Sequence, residues 1–129
     1  MNNKILVVSA NYYKDISKNL EIGATNTLKD NGYEYEVINA PGCFEIPYII
    51  KKNISNFKGF ISLGCIIKGD TYHFEVISNE TSRKIMDLSI EFNVPIGFGI
   101  LTCYNLDQAI IRSDVSQKNK GQEAALACV

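Results

Sequence analysis

Tryptophan is absent from these 129 residues, histidine occurs once, and proline only three times. Charge of one sign is also missing as a pattern. Thirteen Lys and Arg against fourteen Asp and Glu leave a formal net charge of −1, and no run of like charges forms. Such a surface has no source of attraction for a phosphate backbone or an anionic membrane, which excludes the usual electrostatic routes to nucleic acid and lipid. Long apolar runs are lacking too: residues 5–8 and 48–50 fall far short of the ~20 residues that span a bilayer. The first residues carry no basic segment followed by an apolar stretch and a small-residue cleavage site, so the expectation is a cytosolic protein. Cys43, Cys65, Cys103 and Cys128 stand far apart, without CxxC spacing, and read as buried thiols rather than as a zinc or dithiol site. A single histidine with no Cys/His/Asp cluster around it predicts no metal centre.

What is present suits one globular core. Hydrophobic residues make up 46% and charged residues 21% of the chain, and a chain of this length buries roughly two-thirds of its unfolded surface. No repeat, low-complexity stretch or Pro/Gly/Ser-rich linker divides it, so residues 1–129 are expected to form a single domain. The pattern along the chain is alternation. Residues 4–10, KILVVSA, are almost continuously apolar, as a parallel strand covered on both faces requires. Ile16, Leu20, Ala24 and Leu28 then recur every four residues, which predicts a helix with Asp15 as cap and Asn31-Gly32 as its end. Residues 35–38 read as a second strand. A turn at Pro41-Gly42 leads into a helix over 44–53, with Pro47 early enough that its missing N–H matters little. Residues 59–63, extending to 67, give a third strand, and 72–92 a long helix with Ile77, Thr81, Ile85, Leu88 and Phe92 on one side. A fourth strand spans 94–101, with Pro95 near its start. Asn105 caps a helix to about residue 113, and a last helix covers 119–128. Strands alternating with helices predict a three-layer α/β/α sandwich around a four-stranded parallel sheet, flavodoxin-like in class. Ligands on such sheets gather at the carboxyl ends of the strands.

Four connections therefore carry the functional reading. After strand one come Tyr12 and Tyr13, without the Ser/Thr/Gly-rich phosphate loop of a flavodoxin or the paired acids of a phosphoacceptor domain. Tyr12 can stack on a planar heterocycle, or simply sit in a subunit contact. After strand two, Pro41-Gly-Cys-Phe-Glu-Ile-Pro47 brings Gly42, Cys43 and Glu45 to the start of a helix. A carboxylate there can accept hydrogen bonds from ligand hydroxyls, although alone it is an ordinary first-turn acid. After strand three, Gly69-Asp70-Thr71 offers backbone amides and a hydroxyl suited to an anion, with Lys68 adding charge nearby. His73 follows, an imidazole that can move protons near neutral pH. Towards the end of the chain, Arg112 can grip a phosphate bidentately or be a solvated helix-end cation, and residues 118–121 place Lys120 close to a glycine.

In this order and spacing the segments resemble the 6,7-dimethyl-8-ribityllumazine synthase family of riboflavin biosynthesis. The residues that carry the resemblance are Pro41-Gly-Cys-Phe-Glu-Ile-Pro47, Leu63-Gly-Cys-Ile-Ile-Lys-Gly-Asp-Thr-Tyr-His-Phe74, Val94-Pro-Ile-Gly-Phe-Gly-Ile-Leu-Thr102, Asp107-Gln-Ala-Ile-Ile-Arg112 and Asn119-Lys-Gly-Gln-Glu-Ala-Ala125. The resemblance implies condensation of 5-amino-6-ribitylaminouracil with 3,4-dihydroxy-2-butanone 4-phosphate, without metal or organic cofactor, in the penultimate step of the pathway. It implies that Tyr12 stacks on the pyrimidine, that Gly42, Cys43 and Glu45 hold uracil and ribityl chain, and that Cys65, Ile66 and Ile67 line the ring pocket. Gly69, Asp70 and Thr71 match the phosphate loop, Arg112, supplied by an adjacent subunit, its cationic partner, and His73 the proton-transfer residue; Phe98 reaches the heterocycle across the interface, and Lys120 is a second cation near the site. It further implies a homopentamer with sites between neighbours, and leaves a sixty-subunit shell open. Departures from the family pattern are Tyr12-Tyr13 where an aromatic followed by Asn is common, Lys68 where Arg is common, and the carboxylate of Asp70. Competing readings are a non-catalytic flavin or lumazine binder on the same scaffold, an archaeal-type riboflavin synthase, which no segment favours, and a phosphoacceptor module, which lacks its acidic cluster.

Overall fold

The computed structural model describes residues 3–129. Four strands, β1 (Lys4–Ala10), β2 (Glu34–Ala40), β3 (Gly59–Ile67) and β4 (Ile96–Cys103), form one sheet in the order β2-β1-β3-β4, every pair parallel. The helices are α1 (Lys14–Asp30), α2 (Ile46–Lys52), α3 (His73–Phe92), α4 (Leu106–Ser113) and α5 (Lys120–Cys128), with a 3₁₀ turn at Cys43–Glu45. The apolar runs of β1 and β3 reflect burial on both faces. Ile5, Val7, Ile61 and Leu63 share one core with α1, α4 and α5, whereas Leu6, Val8 and Phe60 share the other with α2 and α3. Each large side chain fully withdrawn from water, such as Leu20 or Ile50, contributes on the order of 1.5–3 kcal/mol. This is the expected three-layer α/β/α sandwich.

Local differences from the sequence reading have local causes. α1 starts at Lys14 after Tyr13, which makes no side-chain cap bond, so Asp15 falls inside the first turn rather than capping it. Its end lies where expected, at Asn31, and Gly32 has φ +77°, a left-handed geometry that glycine adopts at no steric cost. The helix expected over 44–53 divides into the 3₁₀ turn and α2. β4 begins at Ile96 because the preceding Pro95 has no N–H to donate, although its carbonyl accepts from Phe60 N at 3.0 Å. Asn105 does cap α4: its Oδ1 accepts from Gln108 N at 2.9 Å.

α5 reaches the sheet only because the strand beneath it is bare. A Cβ on Gly97 would run into the backbone carbonyl of Ala124, which no rotamer change relieves. Gly97→Ala should therefore lower stability by about 1–3 kcal/mol, the usual range for overpacking, read as an earlier urea midpoint; an unchanged midpoint would mean that α5 shifts freely on β4.

Candidate active site

At the centre of the sheet the chain leaves neighbouring strands towards opposite faces, β1 into α1 and β3 into α3, so nothing covers their carboxyl ends. A cleft of about 600 Å³ opens there. Its first wall is Tyr12 and Tyr13, whose rings meet edge to face with centroids 5.0 Å apart. Two hydrogen bonds fix this connection: Asn11 N donates to Ala40 O at 3.2 Å, and Ser17 Oγ to Ala10 O at 2.6 Å. Tyr12 is left 74% exposed, a flat apolar surface with a free hydroxyl. Burial and the neighbouring Cys65 push the Tyr13 phenol up, which keeps it protonated.

Gly42, Cys43, Phe44 and Glu45 form the second wall. Cys43 packs directly on the strand because Gly64 is bare: a Cβ there would lie 2.6 Å from Cys43 Sγ. Glu45 turns back through Glu45 N donating to Gly42 O at 3.3 Å, and its carboxylate stays exposed at the cleft. The floor is Cys65, Ile66 and Ile67 of β3, and the last wall is His73 with Ile77 one turn further along α3. His73 N donates to Thr71 Oγ1 at 3.4 Å, which ties the loop before α3 to its first residue. Such a cleft can sandwich a planar polar ring between an aromatic face and an aliphatic floor, hold hydroxyl or amino groups on Glu45, and move a proton at the imidazole. Among the described residues no three His, Cys, Asp or Glu side chains stand together in a way that could hold a metal ion.

Eight of the expected site residues thus meet in one cleft: Tyr12, Gly42, Cys43, Glu45, Cys65, Ile66, Ile67 and His73. The others do not line it. Gly69, Asp70 and Thr71 form an exposed loop between β3 and α3. Phe98, 45% exposed, faces a separate groove of about 290 Å³ with Ile85, Met86 and Ile96. Arg112, on α4, donates from Nη1 to Gln108 O at 3.2 Å, and Lys120, at the start of α5, pairs with Glu123 at 3.1 Å. Tyr13, Phe44 and Ile77 line the cleft without having been expected to. Ile77 was within reach of reasoning, since i+4 from His73 shares its helix face.

The fold and cleft define a small-molecule enzyme of the flavodoxin-like α/β class, with its site at the crevice between central strands. A family model described as 6,7-dimethyl-8-ribityllumazine synthase matches residues 2–129. The protein of that name from Novosphingobium aromaticivorans is 43% identical over 128 residues, covering 98% of this chain and 91% of that one. Those from Bartonella bacilliformis and Agrobacterium fabrum are 40% and 42% identical, over 100% and 97% of this chain and 88% and 89% of theirs. The chain belongs to the 6,7-dimethyl-8-ribityllumazine synthase family, and lumazine synthase activity is the function that membership carries.

Burial raises the Cys43 and Cys65 thiols to about 12 and Cys128 to about 11, from an ordinary value of 9.0. The two thiols at the cleft are therefore neutral walls, not nucleophiles. A shift of three units lowers the thiolate fraction about a thousandfold, so a thiolate-selective alkylating reagent at pH 8 should label native protein far more slowly than unfolded protein. Because the folded values lie above the unfolded one, the stability associated with these groups is intact below pH 9 and is lost as the pH climbs from 9 towards 12. The urea midpoint should fall across that window and, for the double variant Cys43→Ala/Cys65→Ala, fall less steeply.

Proposed function

We propose that the condensation of 5-amino-6-ribitylaminouracil with 3,4-dihydroxy-2-butanone 4-phosphate takes place in this cleft, completed by a neighbouring copy of the chain. The observation that supports it most is that residues following three different strands converge on one aromatic and aliphatic cleft holding an imidazole and a carboxylate, while the expected cations lie outside it. In this reading Tyr12 stacks on the pyrimidine above Ile66, and Glu45 accepts from the ribityl side. The free amine attacks the ketone and water leaves as the imine forms. A proton then leaves the hydroxyl-bearing carbon beside the imine, phosphate departs from the next carbon, the resulting enol becomes a carbonyl, and the second amine closes the ring on that new carbonyl with loss of a further water. His73 carries the proton transfers.

Both reactants combine without help, so the protein's part is to hold amine and ketone together and to time the protons. The amides of Gly69 and Asp70 and the Thr71 hydroxyl meet the phosphate, and the neighbour's Arg112, Lys120 and Phe98 close the site. A ring of five subunits with sites at each junction follows, working in the cytoplasm, with residues 1–129 as one catalytic domain. No helix among the described residues is long and apolar enough to cross a membrane.

Mixing the two substrates with the purified protein should yield the green-fluorescent lumazine well above the uncatalysed rate, on particles with the mass of at least five chains. A background rate from folded, assembled protein would overturn the proposal. His73→Ala should slow turnover several-fold without abolishing it, because positioning survives. Arg112→Ala should raise the KM for the butanone phosphate more than that for the uracil, and equal effects on both would remove Arg112 from the phosphate.

A further inference from the structure

We propose that Lys68 and Glu75 form a clasp across the 69–71 loop, making Lys68 a positioning residue that acts through Glu75 and not the counter-ion of the phosphate. The inference rests on the assignment of that loop to the phosphate. Lys68 is the first residue beyond β3, and its N–H donates to Cys103 O at 2.9 Å, which extends the β3–β4 ladder by one rung and anchors the near end of the loop to the sheet. At the far end α3 begins with His73, and Glu75 lies in its first turn. The Lys68 ammonium reaches back over the loop to Glu75 Oε1 at 3.3 Å and sits 5.7 Å from the centroid of the Phe74 ring, which is itself 6.2 Å from Tyr104. The loop is thus bracketed, by the sheet on one side and by an ion pair to the helix on the other. His73 N on Thr71 Oγ1 lies inside that bracket.

The charges in this segment explain why a clasp is needed. Residues 68–75 hold two carboxylates, Asp70 and Glu75, against the single ammonium of Lys68. An unpaired Glu75 in the first turn of α3 would compete for the helix-end amides that an incoming phosphate uses, and would repel it. Paired with Lys68, that carboxylate is neutralised and turned aside. The ammonium is then committed, so the charge of the phosphate has to be met by cations from outside the segment.

Lys68 and Glu75 side chains are 48% and 28% exposed, so the pair is screened by salt and its effect is a matter of a few-fold. The test uses the full chain at low ionic strength, with Lys68→Glu, Glu75→Lys, the charge-swapped double variant, Glu75→Gln and Lys68→Arg. Each charge-reversed single variant should raise the KM for the butanone phosphate about two- to five-fold and leave that for the uracil unchanged. The swapped pair should return to near the wild-type value, and so should Lys68→Arg. A swapped pair as poor as Lys68→Glu, or no change in any variant, would overturn the clasp, the first by making Lys68 a phosphate ligand. Amide hydrogen exchange at residues 70–72 gives an arm that needs no turnover: it should quicken in Glu75→Gln and recover in the swapped pair, and unchanged exchange would overturn the clasp. If wild-type protein itself shows only background condensation, the assignment of the reaction fails while the exchange arm still decides on the clasp.

Discussion

The pairing of β1 with β3 governs the rest of the molecule. These two strands are adjacent in the sheet but not consecutive in the chain, because the connection through α1 carries the chain outward to β2 before α2 brings it back across the other face. Their exits consequently diverge, and a crevice between divergent exits cannot be filled by either connection. Burial on both faces makes this centre rigid: Leu6, Val7, Val8, Phe60, Ile61 and Leu63 are all inaccessible to water. Loops that would otherwise wander are thereby held against a fixed platform. Tyr12 and Glu45 occupy opposite walls of one cleft as a result, although 32 residues separate them in the chain.

The chemistry of that cleft is restrained by what surrounds it. Its thiols are neutral through burial, its phenols and aliphatic groups supply surface, and only one imidazole and one carboxylate remain to handle charge. That inventory would be too small for a reaction that needs a strong nucleophile or base made by the protein. It matches a condensation whose reactants already carry the amine and the carbonyl, where the protein holds the partners in place and supplies a proton on demand. The dianion that leaves is the one species such a cleft cannot satisfy alone. Lys68 is tied to Glu75, and Arg112 and Lys120 are engaged on their own helices and do not line the cleft.

Much of the fold was legible because β1 and β3 leave a strong mark: an apolar run of the right length, flanked by polar turns, has few readings other than a buried parallel strand. The ends of elements were legible only where a side chain itself makes the terminating bond, as Asn105 does for α4, or where backbone geometry demands glycine, as at Gly32. At Tyr13 and Ile96 the boundary is set by tertiary packing or by a neighbour's missing N–H, and periodicity is blind to both. The site followed the same division. His73 and Glu45 were found because each follows a strand end, and the β3 floor through the family resemblance, whereas Tyr13 and Phe44 line the cleft through side-chain direction, which local pattern does not encode. That Phe98 lies in a different groove was equally beyond reach, since spacing along β4 tells which face a residue takes but not how far it stands from the mouth of β1.

The two edges of the sheet are built differently, and the difference bears on the separated residues. β2 closes one edge with Glu34 and Glu36, the latter paired to Lys4 at 3.0 Å, and charges on an edge strand discourage another chain from joining it. β4, at the opposite edge, has no charged residue between Ile96 and Cys103 and leaves Phe98 half open beside Met86, which is 61% exposed. An apolar groove of this kind is tolerated on a surface that meets protein more readily than on one that meets water. Covering this edge with another copy would remove the exposed apolar surface and bring Phe98 to a neighbour in one step.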